Sequence, residues 1–136
     1  MEKDLYTGTI VHGQQQGRQW GFPTANVCLL PPQTWHHPTG VYAVRLQLTG
    51  KKYHGNYTGM LYAGTRPTLH LKQLSIEIHI FNFVGNIYEE KILFIPCLKI
   101  REEHTFDSVT RLIDQIREDE KKIREYFDTQ LIIDKW

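Results

Sequence analysis

The sequence predicts a mainly β protein, a small antiparallel β-barrel carrying a C-terminal α-helix. Two features predict it: short apolar runs punctuated by Gly, Pro and Asn over roughly the first hundred residues, and a change to helical periodicity over roughly the last forty. No helical pattern separates the early runs, so a barrel or sandwich of antiparallel strands is expected rather than a parallel sheet.

The first run, YTGTIV, leads into the glycine-studded stretch GTIVHGQQQGRQWGFPTAN, residues 8–26. In VYAVRLQL, Tyr42, Val44, Leu46 and Leu48 fall on one face and Arg45 and Gln47 on the other, the period-2 pattern of a half-buried strand. In SIEIHIF, Ile76, Ile78 and Ile80 share a face, while Ser75, Glu77, His79 and Phe81 share the opposite one. A further run, IYEEKILFI, completes the strands legible from pattern. Phe106, Val109, Leu112, Ile113, Ile116, Ile123 and Phe127 then recur at helical spacing, with Thr105 or Asp107 as the expected N-cap. Glu118–Lys122 and Glu120–Arg124 are i,i+4 pairs of the favourable polarity. Such a helix is marginal alone and must bury its stripe against the barrel.

The 136 residues suit one domain, 1–136, with a single core. A hydrophobic content of 40% excludes a disordered chain, and no apolar run approaches the ~20 residues of a membrane helix. The opening MEKDLYTG is not a signal peptide, and the two cysteines, Cys28 and Cys97, form neither a disulfide framework nor a paired zinc motif. A cytoplasmic protein without a membrane partner is expected. The net charge is +1, yet from Leu5 to Tyr88 the only carboxylate is Glu77, among Arg18, Arg45, Lys51, Lys52, Arg66 and Lys72. A surface of that kind tolerates an anion, although strand-rich segments are poor in Asp and Glu in any case.

The stretch 8–26 has the glycine spacing of the start of a Walker loop, but Gln14 stands where the lysine belongs, which excludes that motif. What remains is a loop whose Gly13, Gly17 and Gly21 let backbone N–H groups approach a phosphate, with Arg18 adding charge. In Pro23-Thr24-Ala25-Asn26, an extended backbone puts Thr24 and Asn26 on one face about 7 Å apart. Both offer hard neutral oxygens suited to Mg²⁺ when phosphates supply the charge, or to a turn in which they satisfy their own backbone. Glu77 is the natural general base of the region, or a solvated strand residue. His36 and His37, adjacent on a Pro-flanked loop, lack the spacing of a ligand pair and read as surface.

Taken together these segments resemble the riboflavin kinase family. The matching pieces are Gly8 to Gly13, Gly17-Arg18, Gly21-Phe22-Pro23-Thr24-Ala25-Asn26, Gly40-Val41-Tyr42-Ala43-Val44, Gly64-Thr65-Arg66-Pro67-Thr68, Glu77-Ile78-His79, Ile87-Tyr88, Arg101-Glu102 and Phe106-Asp107-Ser108. They run in order from about Tyr6 to Phe127, and the ordered set is far more specific than any one piece. The resemblance implies a six-stranded antiparallel Greek-key β-barrel with a C-terminal α-helix. It implies Mg²⁺-dependent transfer of the ATP γ-phosphoryl group to the 5′-hydroxyl of riboflavin, giving FMN and ADP. Thr24 and Asn26 would hold Mg²⁺ and phosphate oxygens, and Glu77 would be the catalytic base. Gly13, Gly17, Arg18, Gly21, Pro23 and Tyr88 would border the nucleotide, and Arg101, Glu102 and Phe106 the flavin. The likeness is to the kinase half of bacterial bifunctional riboflavin kinase/FAD synthetases, so the chain is either a free-standing kinase or a piece whose full-length protein carries an adenylyltransferase domain.

The sequence departs from the family pattern at Tyr62, where a polar residue is usual, at Glu89, where Gly usually follows the tyrosine, and at Trp20. A weakly active or inactive flavin-binding module of the same fold is therefore the alternative. A barrel binding single-stranded nucleic acid is a third reading, disfavoured by the near-zero net charge.

Overall fold

The computed structural model describes residues 4–12, 21–67 and 72–134. Among the described residues, six strands are followed by one helix: β1 (Tyr6–Val11), β2 (Ala25–Leu29), β3 (Gly40–Thr49), β4 (His54–Pro67), β5 (Lys72–Ile80), β6 (Lys91–Arg101) and α1 (Val109–Asp134). The strands close into a barrel in the order β1-β2-β5-β4-β3-β6, with β6 returning to β1 and every pair antiparallel. Closure leaves no unpaired strand edge, and the β2–β5 neighbours give the Greek-key order the family resemblance implied.

Alternation decides which side chains enter the barrel. Tyr42, Val44, Leu46 and Leu48 of β3 and Ile76, Ile78 and Ile80 of β5 are buried inside, packed with Ile10, Leu61, Ile92 and Phe94. Val41 and Ala43, on the other face of β3, are buried too, because α1 covers that part of the wall. There Ile123, fully buried, packs on Val41, Ala43, Met60 and Phe81, flanked by Ile116, Tyr126 and Phe127. The helical stripe read from sequence is thus the face that docks, except that Val109 is exposed at its start.

Three local features differ from the sequence reading. The long strand β4 has no clean alternation because glycines interrupt it. A Cβ on Gly59 would lie 2.5 Å from the His79 carbonyl oxygen of β5, so the close approach of two backbones dictates that residue. The run IYEEKILFI is strand only from Lys91 onward, its first four residues forming a turn. The N-cap is Ser108, whose Oγ accepts the Arg111 N–H at 3.1 Å, rather than Thr105 or Asp107. Among the described residues, no helix is long and apolar enough to cross a membrane.

Candidate active site

Glu77 lies on β5 between Asn26 of β2 and Tyr62 of β4, its register partners on either side. The alternation that buries Ile76 and Ile78 directs Glu77 to the outside of the barrel. On this part of the wall, α1 and the segment 102–108 leading into it stand over the strands. They enclose a cavity of about 670 Å³ whose walls include Thr24, Tyr62, Glu77, Arg101, Phe106 and Asp119.

Thr24, just before β2, donates its hydroxyl proton to Glu77 Oε1 at 3.3 Å. Its backbone is held by His79, two residues beyond Glu77 on the same face, through a 2.8 Å contact between Nδ1 and the Pro23 carbonyl. A carbonyl only accepts, so Nδ1 carries the proton. The other ring nitrogen lies 3.4 Å from Glu120 Oε1 of α1, which ties the Thr24 segment to the helix. Thr24 also lines a second cavity of about 480 Å³, with Pro23 and Tyr88. Thr24 therefore belongs to the walls of both cavities, with a carboxylate beside its hydroxyl.

The far wall of the first cavity is fixed by a buried ion pair. Arg101 Nε donates to Asp119 Oδ2 at 2.8 Å, and Gln115 Nε2 donates to Oδ1 at 3.0 Å, so both oxygens of the fully buried carboxylate are paired. The guanidinium also stands 5.5 Å from the Phe106 ring centroid, within cation–π range. Tyr62 donates its phenol proton to Glu103 Oε1 at 3.3 Å. Burial first, and the Glu103 charge second, push the Tyr62 phenol above its ordinary range, so it remains a donor at neutral pH.

Of the residues singled out from sequence, Thr24, Glu77, Arg101 and Phe106 meet in the first cavity, and Pro23, Thr24 and Tyr88 in the second. Asn26 is buried beside Glu77 in the sheet register but faces a separate recess with His12 and Ser75. Glu102 points away, exposed and paired with Lys99; its neighbour Glu103 faces the cavity instead. Gly21 is exposed at φ 86°, while Gly13, Gly17 and Arg18 lie outside the described residues. Glu89 stands at φ 68°, the left-handed conformation glycine adopts freely, with its N–H donated to the Ile10 carbonyl at 2.8 Å. The backbone after Tyr88 thus takes a conformation that glycine adopts freely, despite the side chain.

Sequence reasoning missed His79, Glu103 and Asp119. Asp119 had left a signal: it falls on the line of Leu112, Ile116 and Ile123, and an acid on an apolar stripe requires a buried partner. Tyr62, noted as a departure, forms part of the cavity wall. Its ring lies along the strand only because position 64 has no side chain, since a Cβ there would come within 2.5 Å of the ring. Gly64→Ala is therefore expected to drive the phenol off Glu103 and lower the melting temperature by roughly 4 °C, about 1 kcal/mol. In a Tyr62→Ala background the same change is expected to cost nothing, and thermal melts of the two singles and the double measure that coupling.

A family model for riboflavin kinase (Flavokinase) matches residues 4–127. The bifunctional riboflavin kinase/FMN adenylyltransferase of Bacillus subtilis is 36% identical over 127 residues, covering 88% of this chain and 37% of that protein. The RNA-binding riboflavin kinase RibR of the same organism is 37% identical over 125 residues, covering 91% of this chain and 51% of its own. The crystal structure of riboflavin kinase from Trypanosoma brucei superposes with a TM-score of 0.64 at 25% identity, covering 91% of this chain and 79% of that one. The chain spans 37–38% of the length of the first bifunctional relatives it matches. With the barrel, the helix and the ordered motifs in agreement, the chain belongs to the riboflavin kinase family.

Proposed function

We propose that residues 1–136 form a single kinase domain that transfers the γ-phosphoryl group of ATP to the 5′-hydroxyl of riboflavin, giving FMN and ADP. The observation that carries this reading is the position of Thr24, shared between two cavities and hydrogen-bonded to Glu77. A phosphoryl group passing between a nucleotide and a flavin needs two sites that meet at one point, with a base on the acceptor side. The cavity holding Glu77, Arg101 and Phe106 takes the flavin, and the one holding Pro23 and Tyr88 takes the nucleotide.

In the reaction the ribityl O5′ attacks the γ-phosphorus, the bond from that phosphorus to the β,γ-bridging oxygen breaks, and Glu77 accepts the O5′ proton. Thr24 orients Glu77 through its hydroxyl. The Thr24 hydroxyl and the Asn26 amide oxygen, two residues apart on either side of Ala25, are hard neutral oxygen donors that would hold Mg²⁺ arriving with its phosphates, leaving Glu77 as the base. When bound, the ion neutralises charge on the phosphoryl oxygens. Riboflavin or FMN and ATP or ADP are thus the partners, in the cytoplasm, with an adenylyltransferase domain expected in a longer protein like the bifunctional relatives. The net charge of +1 supports small-molecule partners rather than nucleic acid.

The test is FMN formation from riboflavin and ATP with and without Mg²⁺, beside Thr24→Val, with an RNA-binding control. Metal-dependent turnover reduced about 10²-fold by Thr24→Val supports the reading. Folded protein that binds riboflavin without forming FMN would establish the binding module instead.

A further inference from the structure

Asp4, His36 and His37 bring three metal-ligating atoms within 4.8 Å of one another. We propose that they form a binding site for a divalent transition ion of the zinc class, separate from the phosphoryl-transfer site and independent of the function proposed above. The register separates the two: Thr24 precedes β2 and the histidines follow it, while Asp4 precedes β1 at the end away from Asn26.

The donor spacing suits such an ion. Asp4 Oδ2 lies 2.9 Å from His37 Nε2 and 3.3 Å from His36 Nε2. Bonds near 2.0–2.1 Å place the donors of a zinc tetrahedron about 3.3 Å apart. Adjacent histidines on a Pro-flanked loop lack the usual spacing of a ligand pair, which is why the sequence reads them as surface. Here the chain turns, and the two rings lie on one side with centroids 4.5 Å apart and planes inclined by 36°. His36 is 60% exposed, but the His37 side chain is only 12% exposed, and its buried Nε2 meets the Asp4 carboxylate without a well-directed hydrogen bond. Two imidazole nitrogens converging on one carboxylate oxygen form the donor set of a metal site.

The surroundings hold the three ligands in place. Tyr6 Oη lies 3.0 Å from His36 Nδ1 and can accept that N–H, the outer partner an Nε2-bound imidazole requires. Gln33 clamps the histidine loop to the start of β1, accepting the Thr7 N–H at 2.7 Å and donating to the Leu5 carbonyl at 3.1 Å. Tyr42 donates its hydroxyl proton to the Pro38 carbonyl immediately after His37. The exposed side of His36 leaves a coordination position open to water.

The test uses tag-free, chelator-stripped protein titrated with Zn²⁺ by calorimetry and with Co²⁺ by visible absorption. One equivalent is expected, with a tetrahedral Co²⁺ spectrum and a melting temperature raised by roughly 5–10 °C at a hundredfold excess over Kd. His36→Gln, at an exposed position, and Asp4→Asn are expected to weaken binding at least about tenfold, and Tyr6→Phe about tenfold. Binding that survives His36→Gln and Asp4→Asn, binding lost in Glu77→Gln instead, or no saturable binding at all overturns the proposal.

Discussion

Glu77→Gln is expected to lower kcat for FMN formation by about 10²–10⁴-fold while leaving the riboflavin KM nearly unchanged. The substitution keeps the shape of the side chain and an oxygen where Thr24 donates, so the 3.3 Å hydrogen bond and the neighbouring backbone have no reason to move. What disappears is the ability to take a proton from the acceptor hydroxyl. The rest of the machinery remains, and phosphoryl transfer depends mostly on positioning and charge stabilisation, which is why the loss is bounded rather than total. Steady-state kinetics with a pH–rate profile distinguish the possibilities. A base removes the acidic limb of the profile with itself, whereas a residue that only binds flavin raises KM and leaves kcat alone. Unchanged kcat in the folded variant would sink the assignment.

Much of this was legible in the chain, for reasons specific to each element. The strands β3 and β5 are read correctly because one face is buried in the barrel and the other carries polar residues, so burial and period coincide. The strand β4 escapes the same reading because Gly55, Gly59 and Gly64 carry no side chain to mark a face, with backbone of β5 filling the place of one at Gly59 and the Tyr62 ring at Gly64. The pairing of Thr24 with Glu77 was reachable only through the ordered motifs, since strands β2 and β5 are distant in sequence and nothing local fixes their register. Beyond β6 the chain leaves the sheet, and parity no longer says which side chain faces the cavity. That is how Glu103, rather than the singled-out Glu102, comes to meet Tyr62.

The largest expected stability effect comes from the other side of the cavity. Asp119→Ala leaves Arg101 with its guanidinium still largely buried and its carboxylate partner gone, and is expected to cost about 3–5 kcal/mol, a melting temperature lower by roughly 10–20 °C. The Arg101–Asp119 pair joins β6 to α1, so this loss also loosens the roof of the cavity. The double replacement Arg101→Met with Asp119→Leu removes both charges together and is expected to recover most of the stability, because no uncompensated charge is left buried. Its activity separates structure from recognition. If the pair serves only to hold the helix, the double variant regains wild-type riboflavin KM along with its melting temperature. If Arg101 borders the flavin as proposed, stability returns while the riboflavin KM stays raised, since the guanidinium that stands over Phe106 at the cavity wall is still missing.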